Sequence, residues 1–252
     1  MPLRSTDAVI IGGYDLAEAD RIVVFYTKEA GKLRAVADGA RRIRSRFGGT
    51  LQLFTQGRLV YFERPNRTLH KVNEFAVLRA HQPLREELDR IALGSTLVEA
   101  LALGVEDEEP FPELYRLAAE GLDLLEAAGR PAVILHGFFL HLLRLLGYLP
   151  ELSVCVGCRA PLQHRTPAAL SPGRGGLLCP ACRPRAGDAL PLAPDALGFL
   201  RGAGGAPLRL MDRVGLAPAT EREVGAALRA FLQHVLGRPL RSAEFLDRLS
   251  GG

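Results

Sequence analysis

Arg21-Ile22-Val23-Val24-Phe25-Tyr26-Thr27, then Lys28-Glu29-Ala30-Gly31, then Lys32-Leu33-Arg34-Ala35-Val36-Ala37: these residues decide the fold class. Both apolar runs are rich in β-branched or small apolar residues that suit a pleated, half-buried surface. The turn Glu29-Ala30-Gly31 joins them, so they form a hairpin. Working outward, Ala8-Val9-Ile10-Ile11 ends at Gly12-Gly13 and reads as a strand. Gly57 to Arg64, with Leu59-Val60-Tyr61-Phe62 inside, and Leu69 to Leu78 add two more. Five short strands in 80 residues, with no long helix among them, predict a small barrel. A five-stranded Greek-key barrel of the OB type is the natural candidate, and an SH3-like barrel fits the same periodicity.

The pattern turns helical from Pro83. Leu84, Leu88, Ile91, Leu97 and Leu101 recur near helical spacing. The acidic stretch Gly104-Val105-Glu106-Asp107-Glu108-Glu109-Pro110 breaks that helix. A second helix is expected over Phe111 to Ala128 and a strongly apolar third over Ala132 to Leu146, opened by Pro131. Shorter helices follow near Pro194–Leu200 and Thr220–Leu236. The capping-box arrangement Thr220-Glu221-Arg222-Glu223 marks the start of the latter, and Ser242 caps a last one. The expected class is α+β and multidomain: an OB-fold β-barrel over 1–80, an α-helical body over 81–150 and 191–252, and an inserted four-cysteine zinc ribbon over 151–190.

With 252 residues, 48% hydrophobic and 24% charged, the chain has ample material for a core, which excludes a wholly disordered protein. No apolar run reaches the ~18 residues of a membrane span. Met1 to Asp20 lacks the layout of a secretion signal, so a cytoplasmic address is expected. The net charge of +4 hides an asymmetry. From Lys28 to Lys71 eleven Lys/Arg stand against three Asp/Glu, whereas from Pro83 to Arg130 twelve Asp/Glu stand against four Lys/Arg. The basic block points to a polyanion partner.

All four cysteines fall in one segment, as Cys155-x2-Cys158 and Cys179-x2-Cys182 with twenty residues between the pairs. Each pair forms a tight turn that aims two thiolates at one ion, and two such turns complete a tetrahedral site. Gly157 is expected to supply the turn conformation in the first knuckle. Four sulfur ligands leave no vacancy for water, so one structural zinc ion is predicted, standing in for a core this insert cannot build. His164 is an alternative ligand. Arg159, Arg174, Arg183 and Arg185 around the ribbon read as solvated surface residues, with a contact to nucleic acid as the other reading.

The sharpest local feature of the basic block is Arg41-Arg42-Ile43-Arg44-Ser45-Arg46-Phe47, bracketed by Gly39 and by Gly48-Gly49. Mutual repulsion disfavours such a cluster unless an anion neutralises it. Lys32, Arg34, Arg58, Arg64, Arg67 and Lys71 from neighbouring strands would extend it into one positive face suited to nucleic acid, with backbone-led rather than sequence-specific contacts. Lys32, Arg34, Arg41, Arg42, Arg44 and Arg46 are expected on phosphates. Phe47 either stacks on a base or anchors the loop in the core. A solvated loop, or pairing with the acidic helices, is the alternative for the whole run. No GxxxxGK[ST] loop, GxGxxG after a strand, HExxH or GxSxG occurs, so no bond-breaking site is expected. His136 and His141, five apart, do not share a helix face and read as packing residues. An adaptor for acidic protein tails and an RNA-binding OB protein remain open alternatives.

The sequence resembles the bacterial RecO family of DNA repair and recombination proteins. The resemblance runs through Asp15 to Thr27, Glu29-Ala30-Gly31-Lys32-Leu33, Val36 to Arg42 and Ser45 to Phe54. It continues in Leu146-Gly147-Tyr148 and Gly237-Arg238-Pro239-Leu240-Arg241-Ser242. It covers nearly the whole chain. Asp38 departs from the basic residue many members carry and weakens the local positive field. The resemblance implies an N-terminal OB fold, a helical body and a zinc ribbon. It also implies binding to single- and double-stranded DNA, ATP-independent annealing, and partnership with RecR and the acidic C-terminal tail of the single-strand-binding protein. The outcome it implies is loading of RecA onto coated single strands.

Overall fold

The computed structural model describes residues 1–163 and 167–250, with side chains described through residue 246. His164, the alternative metal ligand, lies outside the described residues, as does the Gly251-Gly252 end. The chain divides into two compact units, Met1–Glu126 and Ala127–Gly252.

The first unit begins with strands β1 (Leu3–Leu16), β2 (Asp20–Thr27), β3 (Gly31–Ala37), β4 (Gln56–Phe62) and β5 (Leu69–Arg79). They close in the order β1-β2-β3-β5-β4, with β3 and β5 parallel and the other pairs antiparallel. This is the OB barrel, and its closure leaves no free sheet edge of the kind that invites aggregation. Alternation along each strand fills the interior: Ala8, Ile10, Val23, Phe25, Leu33, Ala35, Leu59, Tyr61, Val72 and Phe75 form one buried cluster. Phe25 and Phe75 meet there in tilted contact, 5.6 Å between ring centres. A β-bulge at Ile11 shifts the register of β1 against β2 between Ile10 and Gly12. β1 is therefore long and continuous, where the sequence outlines only Ala8 to Ile11. Helices α1 (Leu88–Gly104) and α2 (Pro112–Ala127) follow.

The second unit holds α3 (Pro131–Leu145), a three-stranded sheet of β6 (Ala168–Ser171), β7 (Gly176–Leu178) and β8 (Leu190–Leu192), then α4 (Pro194–Ala203), α5 (Pro218–Leu236) and α6 (Arg241–Ser250). The sheet order is β7-β6-β8. No periodic pattern in this Pro- and Gly-rich segment announces strands of three or four residues. Helix α5 starts at Pro218, two residues before the expected capping box, because a proline in the first turn is preorganised for the helix. Ser242 lies inside the first turn of α6 rather than ahead of it. Among the described residues no helix is long and apolar enough to cross a membrane.

His136 is a packing histidine. It is buried in α3, edge-on to Phe199 of α4 at 6.4 Å. Burial, then the charge of Arg229, pulls its imidazole down to about 4 from 6.5. The ring is thus neutral in the fold but takes up a proton near pH 6.5 in the unfolded chain. Stability from this residue is complete above about pH 6.5 and falls as the pH drops towards 4, by up to roughly 3 kcal/mol. Urea denaturation monitored on the second unit should show this decline, and His136→Leu should flatten it.

Candidate nucleic-acid interface and metal centre

The residues predicted to hold phosphates separate into two groups. The first is already occupied. Lys32 projects from β3 to the C-terminal end of α1, where its ammonium donates to the Ala102 and Val105 carbonyls at 2.9 and 2.7 Å. It also pairs with Asp107 at 3.1 Å, and its side chain is only 13% exposed. Arg34 binds the same Asp107 carboxylate. The acidic segment meets β3 at an isolated bridge: Asp107 bridges Lys32 in parallel, and the Glu108 N–H donates to the Lys32 carbonyl at 2.7 Å. Glu108 reaches His70 at 3.2 Å, and the Tyr26 hydroxyl donates to the Phe111 carbonyl at 3.5 Å. Burial, then Glu109, pushes the Tyr26 phenol up to about 12. Gly31 has φ +66°, and a Cβ there would sit 2.2 Å from the Glu109 carbonyl oxygen, so only glycine fits. Lys71 is paired with Asp38 at 2.7 Å, and Arg58 with Asp7 at 3.2 Å. The acidic run that breaks the helix is a strap on the barrel.

The second group is available. Arg42 and Arg44 are exposed on the β3–β4 connection and carry no ion pair among the described residues. Their loop is a chain of tight turns, with Arg42 N–H to Gly39, Ser45 N–H to Arg42 and Gly48 N–H to Ser45 at 3.0–3.1 Å. It is fixed to the tip of the β1–β2 hairpin. The Arg41 N–H donates to the Ala19 carbonyl at 3.0 Å. The Arg41 guanidinium binds the Ala17 and Glu18 carbonyls at 3.0 and 3.3 Å and Asp15 at 3.3 Å. Arg46 donates to the Val72 carbonyl at 3.2 Å and lies over the Phe47 ring at 4.7 Å. Phe47 is 4% exposed within the barrel core, so of the two expected roles it takes the anchor and is not free to stack on a base. Arg64 and Arg67 occupy the β4–β5 connection, also without an ion pair among the described residues.

In the second unit Cys155, Cys158, Cys179 and Cys182 bring their sulfurs within 4.8 Å of one another, with no disulfide. Cys158 and Cys179 sulfurs are 3.8 Å apart. Metal–sulfur bonds of ~2.3 Å in a tetrahedron place sulfurs about 3.8 Å apart, so the spacing suits a four-thiolate ion. Gly157 is not in a left-handed conformation; Arg159 adopts that one, at φ +66°. Gly157 matters instead for close approach, since a Cβ there would lie 3.1 Å from the Cys182 sulfur. Burial works to raise the Cys155 thiol, but N–H groups of Cys179, Cys158 and Gly157 aimed at its sulfur outweigh it and draw it to about 6. Contacts with the Cys179 and Cys158 thiols push Cys182 up to about 12. Four sulfurs this close could hold one metal ion.

The chain matches the family descriptions Recombination protein O N terminal over residues 1–81 and Recombination protein O C terminal over residues 85–244. It is 38% identical over 245 residues to the DNA repair protein RecO of Anaeromyxobacter sp. (strain Fw109-5), covering 96% of this chain and 94% of that one. It is 37% identical over 242 residues to the protein of the same name from Roseiflexus sp. (strain RS-1), covering 96% and 84%. For the one from Symbiobacterium thermophilum the figures are 34% over 251 residues, covering 99% and 98%.

If Lys32 is a staple, Lys32→Ala leaves two helix-end carbonyls without their cation and Asp107 with Arg34 alone. The expected cost is about 1–3 kcal/mol of first-unit stability by urea denaturation. Arg44→Ala should stay within about 0.5 kcal/mol of wild type.

Proposed function

Because the chain belongs to the recombination protein O (RecO) family, we propose that it is a DNA-binding recombination mediator in gap and double-strand-break repair. It acts in the cytoplasm at the nucleoid, as a binding protein rather than an enzyme. In this reading residues 1–80 are the DNA-binding domain, 81–150 with 191–252 the helical body, and 151–190 the ribbon. The observation that carries it is the pair Arg42 and Arg44, held out on an anchored turn without an ion pair among the described residues. Two guanidinium groups exposed on a preformed loop bind phosphates at little ordering cost. Arg41, Arg46, Arg64 and Arg67 add positive potential around them.

Neutralising two strands at one surface lowers their mutual repulsion, so complementary bases pair without ATP. With RecR, the protein then loads RecA onto strands coated by the single-strand-binding protein. The acidic, apolar tail of that coat protein would seat in a groove of about 760 Å³ in the second unit, lined by Phe199, Ala203, Leu210, Met211, Val214 and Leu216. Exposed Arg209 and Arg213 flank Leu210 and Met211 on the same turn. The ion in the four-cysteine site is zinc, chosen by an all-thiolate tetrahedral donor set. Zinc there supplies a cross-link, and the chain's own residues shape the knuckles.

Two measurements test this. Arg42→Ala combined with Arg44→Ala should reduce the log–log salt slope of single-strand binding by about 1.4 and slow annealing of complementary oligonucleotides. An unchanged slope returns the loop to a solvated role. Native mass spectrometry should find one zinc per chain, and chelation should speed hydrogen exchange across 151–192 while leaving the barrel as it was. Equal exchange with and without metal contradicts the structural role.

A further inference from the structure

The barrel contains an exposed aromatic residue that the arginine loop alone does not explain. Tyr14 is 52% exposed. It lies in β1 opposite Ile22 of β2, which is opposite Val36 of β3, which is opposite Lys71 of β5. Residues directly opposite one another share a face of the sheet. Val23, Ala35 and Val72, the next residues along these strands, fill the core, so the row from Tyr14 to Lys71 points away from it, with Ile22 and Val36 covered and Tyr14 exposed at its end. It lies on the strand 2–3 face that OB folds use for oligonucleotides. The other part of this face, around Tyr26, Lys32 and Arg34, lies under the acidic strap.

The β-bulge is what places Tyr14 there. Ala8 and Ile10 point into the barrel. An unbroken alternation would send Tyr14 inward too. The extra residue, Ile11, reverses the parity and turns Tyr14 outward, a use of bulges that re-aims a side chain. Tyr14 adjoins Asp15, whose carboxylate holds Arg41, and Arg41 adjoins Arg42. The wholly exposed Ile43 stands between Arg42 and Arg44. The exposed ring and the available guanidinium groups are thus linked through the Asp15–Arg41 pair at one end of the barrel.

We propose that Tyr14 is the base-stacking residue of this protein, selecting single-stranded over duplex DNA by taking an unpaired base on its ring while Arg42 and Arg44 hold the adjoining phosphates. The proposal rests on the DNA-binding reading above. A duplex keeps its base faces stacked and offers the ring nothing, whereas every unpaired base has a face to give.

Fluorescence anisotropy with a labelled single strand, a duplex and an abasic strand of equal length separates the contributions. Tyr14→Ala should weaken single-strand binding roughly 5- to 100-fold, and Tyr14→Phe should keep it within about twofold. Neither should alter binding to the duplex or the abasic strand. Equal weakening on the abasic strand overturns stacking. So does unchanged single-strand binding by Tyr14→Ala when the Arg42→Ala, Arg44→Ala variant is weakened. If that arginine variant binds the abasic strand as wild type does, the phosphate-binding reading falls instead.

Discussion

The Lys32 ammonium organises the first unit. It is taken from the barrel face and set among two carbonyls at the end of α1 and the Asp107 carboxylate. A cation at a helix C-terminus meets the negative end of the helix dipole, and here the cation comes from a strand far from that helix in sequence. The same contact holds residues 107–109 against the start of β3, just after α1 ends and before α2 begins. It also pairs Lys32 and Arg34 with an acid, as Asp38 separately pairs Lys71. What remains of the basic block without an ion pair among the described residues is concentrated on the β3–β4 loop and the β4–β5 connection. The acidic segment is therefore part of how the positive surface is shaped.

Much of this is legible in the residues. The hairpin of residues 21–37, the five runs and the two CxxC pairs follow from side-chain shape, strand period and thiolate chemistry. Each is a local rule, and the OB barrel and sulfur cluster obey it. The pairing of Lys32 with Asp107 is not legible, because it joins distant positions and depends on where α1 happens to end. A count of charges cannot tell a free lysine from a stapled one. Phe47 shows the same limit. An aromatic after four arginines reads equally well as a stacking ring or an anchor, and only the turn geometry sends it inward.

Tyr14 shows a subtler one. Strict alternation from Ala8 and Ile10 buries it, and a single extra residue in β1 exposes it. A bulge has no compact sequence signature, although Gly12-Gly13 marks the place where the backbone is free to make one. The ribbon carries the converse lesson. The turn conformation expected of Gly157 belongs to Arg159, because a glycine serves close approach as readily as unusual dihedrals.

The proposed function puts DNA at the end of the barrel formed by the β1–β2 tip and the arginine loop, with the strap left in place. Hydrogen–deuterium exchange with and without a single-stranded oligonucleotide tests it most directly. Slowed exchange confined to residues 14–22 and 39–48, with residues 105–111 unchanged, is the expected result. Accelerated exchange at 105–111, or slowing that spares the barrel altogether, would contradict it.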